Sequence, residues 1–198
     1  MDAPTAEGAV LVISGPSGCG KSTICRDLMR DERVAFSISA TTRPPRTGEE
    51  DGREYHFIDE RRFRELVDEG AFLEWADVHG NLYGTLKKPV EEALATGKVY
   101  LVEIDVQGGA ALKKLRVPGV FVFVAPPDLE TLRRRLVERG TDSQEVIERR
   151  LKKASWEMDS AGLYDHVVVN EDLETAIAEV RRLAGLGGRP AGAPAEKG

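Results

Sequence analysis

The chain has 198 residues, enough for one domain with a sizeable buried core. Hydrophobic residues make up 41% of it and charged residues 31%, the balance of a globular protein in water. A net charge of −6 excludes a general electrostatic footprint for nucleic acid, so any Lys or Arg that handles phosphate must be concentrated locally.

Met1 to Gly8 is short and acidic, with neither a basic start nor an apolar stretch, and is not expected to act as a leader. Ala9 to Ile13 is an apolar run that predicts a strand buried on both faces of a parallel sheet. After it comes Gly15-Pro16-Ser17-Gly18-Cys19-Gly20-Lys21-Ser22, followed by Thr23 and a helix with Ile24, Cys25, Leu28 and Met29 on one stripe. A glycine-rich loop between strand and helix is built to hold phosphate. The glycines are expected to keep bulk away from backbone N–H groups that close round the oxygens. Lys21 adds a full charge near the β- and γ-phosphates, and the Ser22 hydroxyl suits Mg²⁺. A nucleoside triphosphate site follows.

From Ser37 to about Pro89 the strand–helix rhythm breaks into short strand-like pieces, among them Glu54 to Ile58 and Ala71 to His79. Between them a helix is predicted over Glu60 to Glu69, with Asp59 as N-cap and Phe63, Leu66 and Val67 on one face. In this segment Arg43 and Arg46 stand three residues apart, stiffened by Pro44 and Pro45, a pair suited to a phosphate dianion. Tyr55 offers a phenol to the same anion. Glu74 lies between apolar neighbours, where a carboxylate can accept the paired N–H groups of a guanine edge. Taken alone, these residues leave open a solvated turn and an outward-pointing glutamate.

Alternation then resumes. Val99 to Asp105 predicts an apolar strand ending in acid, with a small helix near Gly108 to Leu115 after it. Asp105 is read as the acidic partner of Mg²⁺, with a helix N-cap as the alternative. Val120 to Ala125 is a buried strand, and Asp128 caps a helix with Leu129, Leu132, Leu136 and Val137 on one stripe. Another helix covers about Ser143 to Asp159. Arg133 to Lys153 holds eight basic and four acidic residues, a local positive excess in which Glu145–Arg149 and Glu148–Lys152 have ion-pair spacing. A strand at His166 to Val169 and a helix at Leu173 to Leu183 finish the pattern, which reads as an α/β fold with a parallel sheet flanked by helices. Gly185 to Gly198 is expected to be a disordered tail. The two cysteines favour a reducing compartment, the three histidines have no metal-ligand spacing, and no apolar run approaches the ~20 residues of a membrane helix. A cytoplasmic location, with neither nucleic acid nor membrane as partner, is expected.

The phosphate loop, Thr41-Thr42-Arg43-Pro44-Pro45-Arg46-Thr47-Gly48-Glu49, Tyr55-His56-Phe57, Phe72-Leu73-Glu74-Trp75, Asn81-Leu82-Tyr83-Gly84, Ile104-Asp105-Val106-Gln107-Gly108, Arg139-Gly140-Thr141 and Val169-Asn170 together resemble the guanylate kinases, from Val10 to about Leu183. The resemblance implies phosphoryl transfer from ATP to GMP or dGMP with Mg²⁺, on a P-loop core (9–36, 93–127, 157–184), an inserted GMP-binding subdomain (37–92) and a lid (128–156). It implies that Ser39, Arg43, Arg46, Tyr55 and Tyr83 hold the GMP phosphate, that Glu49 belongs to the same GMP-binding set, and that Glu74, Thr85, Glu103 and Asp105 surround the guanine. Arg135, Arg139 and Arg150 of the lid would reach the transferred phosphoryl beside Lys21 and Arg43, Asn170 would lie near the adenine, and Ser22 and Asp105 would face the metal. Thr85 and Glu103 depart slightly from the Ser and Asp of some members but keep their acceptor chemistry. A kinase of another monophosphate or a sugar bisphosphate, and a non-catalytic interaction module of the same fold, are the competing readings. The intact Lys21-Ser22 pair argues against the module.

Overall fold

A computed structural model describes residues 8–46, 48–53, 55–78, 80–138, 140 and 143–187. In chain order the elements are β1 (Ala9–Ser14), α1 (Lys21–Leu28), β2 (Val34–Phe36), β3 (Ala40–Thr41), β4 (His56–Phe57), α2 (Glu60–Asp68), β5 (Phe72–Val78) and β6 (Asn81–Leu86). They continue with α3 (Lys87–Ala95), β7 (Val99–Glu103), α4 (Val106–Lys114), β8 (Val120–Ala125), α5 (Leu129–Glu138), α6 (Gln144–Met158), a 3₁₀ turn (Asp159–Leu163), β9 (His166–Val169) and α7 (Leu173–Leu183).

A five-stranded parallel sheet in the order β2-β7-β1-β8-β9 forms the centre. Strand β1 shows why it must lie there. Successive side chains of a strand point to opposite faces, and both of its faces are apolar. Leu11 and Ile13 pack with Ile24, Cys25 and Leu28 of α1 and with Ile177 and Val180 of α7. Val10 and Val12 pack on the other face with Val90 of α3 and Leu112 of α4. The carboxyl end of β1, flanked by β7 and β8, is where a doubly covered parallel sheet places its ligand.

A second sheet, β4-β3-β6-β5, is inserted between β2 and β7, with β5 and β6 antiparallel. Its own apolar cluster joins Ala40, Phe63, Phe72 and Leu82. Phe63 and Phe72 stack at 4.5 Å between ring centroids. Helix α2 begins as its sequence demands, with the Asp59 carboxylate accepting from the Arg62 N–H at 2.7 Å. Helices α5 and α6 pack through Leu132, Leu136, Ile147, Leu151 and Ala154. Arg133 of α5 pairs with Glu148 of α6 across them. None of the helices among the described residues is long and apolar enough to cross a membrane.

Several expectations need correction. Met29 leaves the α1 stripe, exposed at the C-cap one residue past buried Leu28. Leu129 and Val137 are exposed as well, because α5 buries only its Leu132–Leu136 line. Helix α3 is an element missed where Pro89 reads as a break; Pro in a first helical turn removes an N–H that has no intrahelical partner anyway. Strand β4 is limited to His56 and Phe57, and Glu54 and His79 lie outside the described residues. The start of the expected tail is also ordered: Leu186 is buried in the main core, and its carbonyl accepts from Arg33. Residues 188–198 are outside the described set.

Leu186 adjoins a buried ion pair. Arg181 of α7 donates to Asp31, just past α1, at 2.6 Å, with both side chains at most 3% exposed. Arg33 adds three further bonds to the same carboxylate, two from its guanidinium and one from its backbone N–H. The hydrogen bonds from Arg33, then from Arg181, hold the Asp31 carboxyl well below the usual carboxylate range despite its burial.

Candidate active site

The phosphate loop links β1 to α1 at the sheet's carboxyl edge. Its glycines are required by what lies behind the loop. A Cβ on Gly15 (φ 138°) would come within 2.1 Å of the Val124 carbonyl oxygen, and one on Gly20 (φ 101°) within 2.2 Å of Asn170 Nδ2. Such φ values are also the ones side chains avoid. The expected reason, clearance for the ligand, is thus joined by clearance toward the protein. Among the described residues the backbone N–H groups of Gly18, Gly20 and Ser22 have no hydrogen-bond partner, leaving a set of donors at the N-terminus of α1. Lys21 Nζ closes over the loop, donating to the Gly15 oxygen at 2.6 Å and the Pro16 oxygen at 2.8 Å. Ser17 is exposed at the loop tip, and the Thr23 N–H donates back to the Gly20 oxygen. Cys19 and Cys25 are buried free thiols; burial raises both, and the Glu103 carboxylate raises Cys25 further.

Ser22 Oγ donates to Glu103 Oε1 at 2.7 Å, so the acid that meets the phosphate loop is Glu103 at the end of β7. Asp105 is the N-cap of α4: its Oδ1 accepts from the Gly108 N–H at 2.8 Å. Asp105 thus fills the helix N-cap weighed as its alternative, and the side chain bonded to Ser22 is that of Glu103. The short β7 ends at Glu103, two residues early, and hands Asp105 to the helix. Burial raises the Glu74 carboxyl of the second sheet, opposed by a bond from Thr85, and the Asp105 charge adds to the rise.

That bond defines the second part of the site. Glu74 and Thr85 are directly opposed across β5 and β6, and an irregularity between Phe72 and Glu74 shifts the register there. Glu74 is 7% exposed, and Thr85 Oγ1 donates to its Oε1 at 2.7 Å. The outward-pointing alternative for Glu74 fails.

The third part surrounds Arg43. Its Nη2 donates to both Glu49 oxygens, at 3.0 and 2.9 Å, while the Arg46 N–H donates to Glu49 Oε2 at 2.7 Å. Against the effect of burial, the Arg46 N–H and the Arg43 guanidinium hold the Glu49 carboxyl below its ordinary range. The Arg43 guanidinium carbon lies 5.5 Å from the Tyr55 ring centroid, and Tyr55 meets Tyr83 edge-on at 5.9 Å. This brings Arg43, Glu49, Tyr55 and Tyr83 together. The Arg46 side chain is exposed, and Ser39 contributes its backbone oxygen to the His56 N–H.

On the α5 side, Arg135 Nη2 donates to the Asn170 oxygen at 2.8 Å. Asn170 is only 4% exposed and donates from Nδ2 to the Cys19 oxygen at 2.8 Å, beneath the phosphate loop. Arg150 is half-buried on α6, and Arg139 lies outside the described residues. Tyr164 is one neighbour with no signal in the sequence. Its hydroxyl lies 3.4 Å from the Val106 oxygen, and Gly109 leaves room for it. Burial, with Asp105 and Glu157 nearby, pushes it to about 12, the Ser14 hydroxyl opposing the rise.

Phosphate-loop donors, a buried carboxylate and an arginine–tyrosine cluster thus share one chain. The family model described as Guanylate kinase matches residues 7–184. The chain belongs to the guanylate kinase family. The guanylate kinase of Mycobacterium bovis is 50% identical over 194 residues, covering 96% of this chain and 92% of that protein. The guanylate kinase of Carboxydothermus hydrogenoformans is 48% identical over 175 residues, covering 88% and 86%. The crystal structure of guanylate kinase from Anaplasma phagocytophilum superposes with a TM-score of 0.72 at 35% identity, covering 90% of this chain and 85% of that one. The α/β core with its flanking helices is therefore a guanylate kinase fold.

Proposed function

We infer that this guanylate kinase family member transfers the γ-phosphoryl group of ATP to GMP, giving ADP and GDP. The observation that carries the choice of acceptor is Glu74: a buried carboxylate, fixed on one oxygen by Thr85, retains acceptor capacity for the ring N–H and exocyclic amine that guanine presents side by side. Adenine has no such pair. The residues assigned to the acceptor read a base and a phosphate, so dGMP is an acceptor on the same terms. The reaction belongs to purine nucleotide metabolism.

The inserted sheet serves as the acceptor subdomain, and the α5–α6 pair as the lid. Arg43, Arg46, Tyr55, Tyr83 and Ser39 hold the acceptor phosphate, with Glu49 orienting the two arginines. The loop 15–23 holds the donor phosphates through its free N–H groups and Lys21. An acceptor phosphate oxygen attacks the γ-phosphorus in line; being already anionic, it needs no strong base. Catalysis is a matter of aligning two anions and offsetting their repulsion with Lys21, Arg43 and the lid arginines Arg135, Arg139 and Arg150. Closure of the lid excludes water that would otherwise hydrolyse ATP.

Mg²⁺ fits the donor set. Ser22 and Glu103 place a hydroxyl and a carboxylate in contact, both hard oxygen donors, while the described residues hold no cluster of three His, Cys, Asp or Glu side chains. That is the pattern for an ion carried mainly by substrate phosphates and water. When bound, it would supply positive charge against the donor phosphates, with Ser22 and Glu103 as the protein groups to hold it. Two free buried cysteines fit a reducing compartment, which we take to be the cytoplasm.

The test is a coupled assay with ATP and Mg²⁺ across GMP, dGMP, AMP, UMP and ribose bisphosphate. GMP and dGMP should turn over and the others should not. ADP release with AMP or the sugar bisphosphate alone contradicts the acceptor, and no turnover with any of them contradicts the enzyme.

A further inference from the structure

We propose that Asn170 is a positioning residue for the phosphate loop, setting the direction of one of the N–H groups that hold the donor phosphates. Three bonds fix the residue. Its N–H donates to the Ala125 oxygen at the end of β8, its oxygen accepts from Arg135, and its side-chain Nδ2 donates to the Cys19 oxygen. The amide orientation is forced, because a carbonyl oxygen can only accept.

The Cys19 oxygen and the Gly20 N–H belong to one planar trans peptide, so they point in opposite directions. Drawing the oxygen down onto Asn170 turns the Gly20 N–H up, away from the core. That N–H has no partner among the described residues. The fit is mutual, since Asn170 Nδ2 sits where a side chain on residue 20 would begin. The other end of the amide supports a role for the donor specifically: Asn170 Oδ1 is buried with no hydrogen-bond partner among the described residues. A residue retained only to fill space would not leave such an acceptor unmet. The resemblance places Asn170 near the adenine; its Nδ2 is committed beneath the loop, so any contact with the base would fall to Oδ1.

The inference rests on the phosphotransfer reading only for the identity of the donor, and its test needs no acceptor. Dissociation constants for ATP, inorganic tripolyphosphate and GMP are measured by calorimetry on wild type, Asn170→Asp and Asn170→Ala. The first variant keeps the shape and loses the donor; the second serves if a buried carboxylate unfolds the chain. Both ATP and tripolyphosphate should weaken by about tenfold, the effect of one misdirected charge-assisted hydrogen bond, with GMP unchanged. Loss confined to ATP identifies a base contact and overturns the proposal. Unchanged binding of both polyphosphates, or equal weakening of GMP, overturns it too. A failure of the phosphotransfer reading would appear in the acceptor panel, whatever tripolyphosphate does.

Discussion

The donor and acceptor sides of the site hold the same chemical group with different material. On the donor side the donors are mostly backbone N–H groups of a loop pinned between Val124, Asn170 and the Lys21 ammonium, resting on the main core. On the acceptor side they are side chains from β5, β6 and the loops around them, braced by Glu49 and an edge-on tyrosine pair over a small separate cluster. The first arrangement is rigid and indifferent to the nucleoside. On the proposed reading, the second is the one that selects the base. Substitutions should separate the two sides, in an order set by how directly each touches charge.

Lys21→Met should give the largest effect, a fall in kcat on the order of 10³-fold, because it removes the one full charge of the donor side and also the clasp on the Gly15 and Pro16 oxygens. GMP binding should change little. Turnover assays with calorimetric GMP titrations check this, and near-normal kcat would mean that the backbone cradle suffices alone.

Asp31→Ala tests whether the donor side depends on its scaffold. Leaving Arg181 buried without its carboxylate should destabilise the fold by about 3 kcal/mol or more in denaturant titrations. The pH dependence has a definite sign. A carboxyl held low by folding contributes stability above its unfolded pKa, near about 4, and loses it as pH falls through the folded value. Wild type should therefore lose this increment in strong acid, and the variant should show a flatter acid limb.

Arg43→Ala carries the contrast to the acceptor side. It should lower kcat/KM for GMP by about 2–3 kcal/mol while the KM for ATP stays within a few-fold. Arg46→Ala should act in the same direction and less strongly on stability, since its side chain is exposed while Arg43 also holds Glu49. Equal losses for both nucleotides would show that the two sides are coupled and not separate.

The same division explains what could be read from the sequence. The donor side was legible because a backbone site announces itself locally: a strand, three glycines, Lys and Ser, then a helix, all within fifteen residues of Ala9 to Thr23. The order of core strands and helices was legible for the same reason, through β1, β8, β9 and α7. The acceptor side was assembled from a resemblance, because Glu74 meets Thr85 only through strand pairing, and Arg43 meets Tyr55 only across a loop. Periodicity contains no such information. Asp105 shows the limit from another direction: an acid after an apolar run fits a metal partner or a helix cap, and the bond it accepts from the Gly108 N–H is visible only in the fold. Asn170 was visible as a residue but not as a support, since what it touches is 151 positions away in the chain.

Glu74→Gln should produce the smallest loss of activity and the most informative one. Removing the charge should cut the preference for GMP over AMP by about tenfold, the scale of a hydrogen bond to a charged group. Its effect on stability should have the opposite sign. Burial, with Asp105 adding to it, raises the Glu74 carboxyl in spite of the Thr85 bond. A carboxyl raised by folding favours the folded state at low pH and penalises it as pH rises through the folded value. The free variant should therefore melt above wild type at neutral pH, the gap closing toward about pH 4, where the unfolded carboxyl is also protonated. A charge kept in an apolar wall at a cost to stability is explained by a ligand that repairs it, and GMP should raise the melting temperature of wild type more than that of the variant. If the variant is less stable at neutral pH with no ligand present, Glu74 is already satisfied by the protein itself, and the acceptor side is as preformed as the donor side.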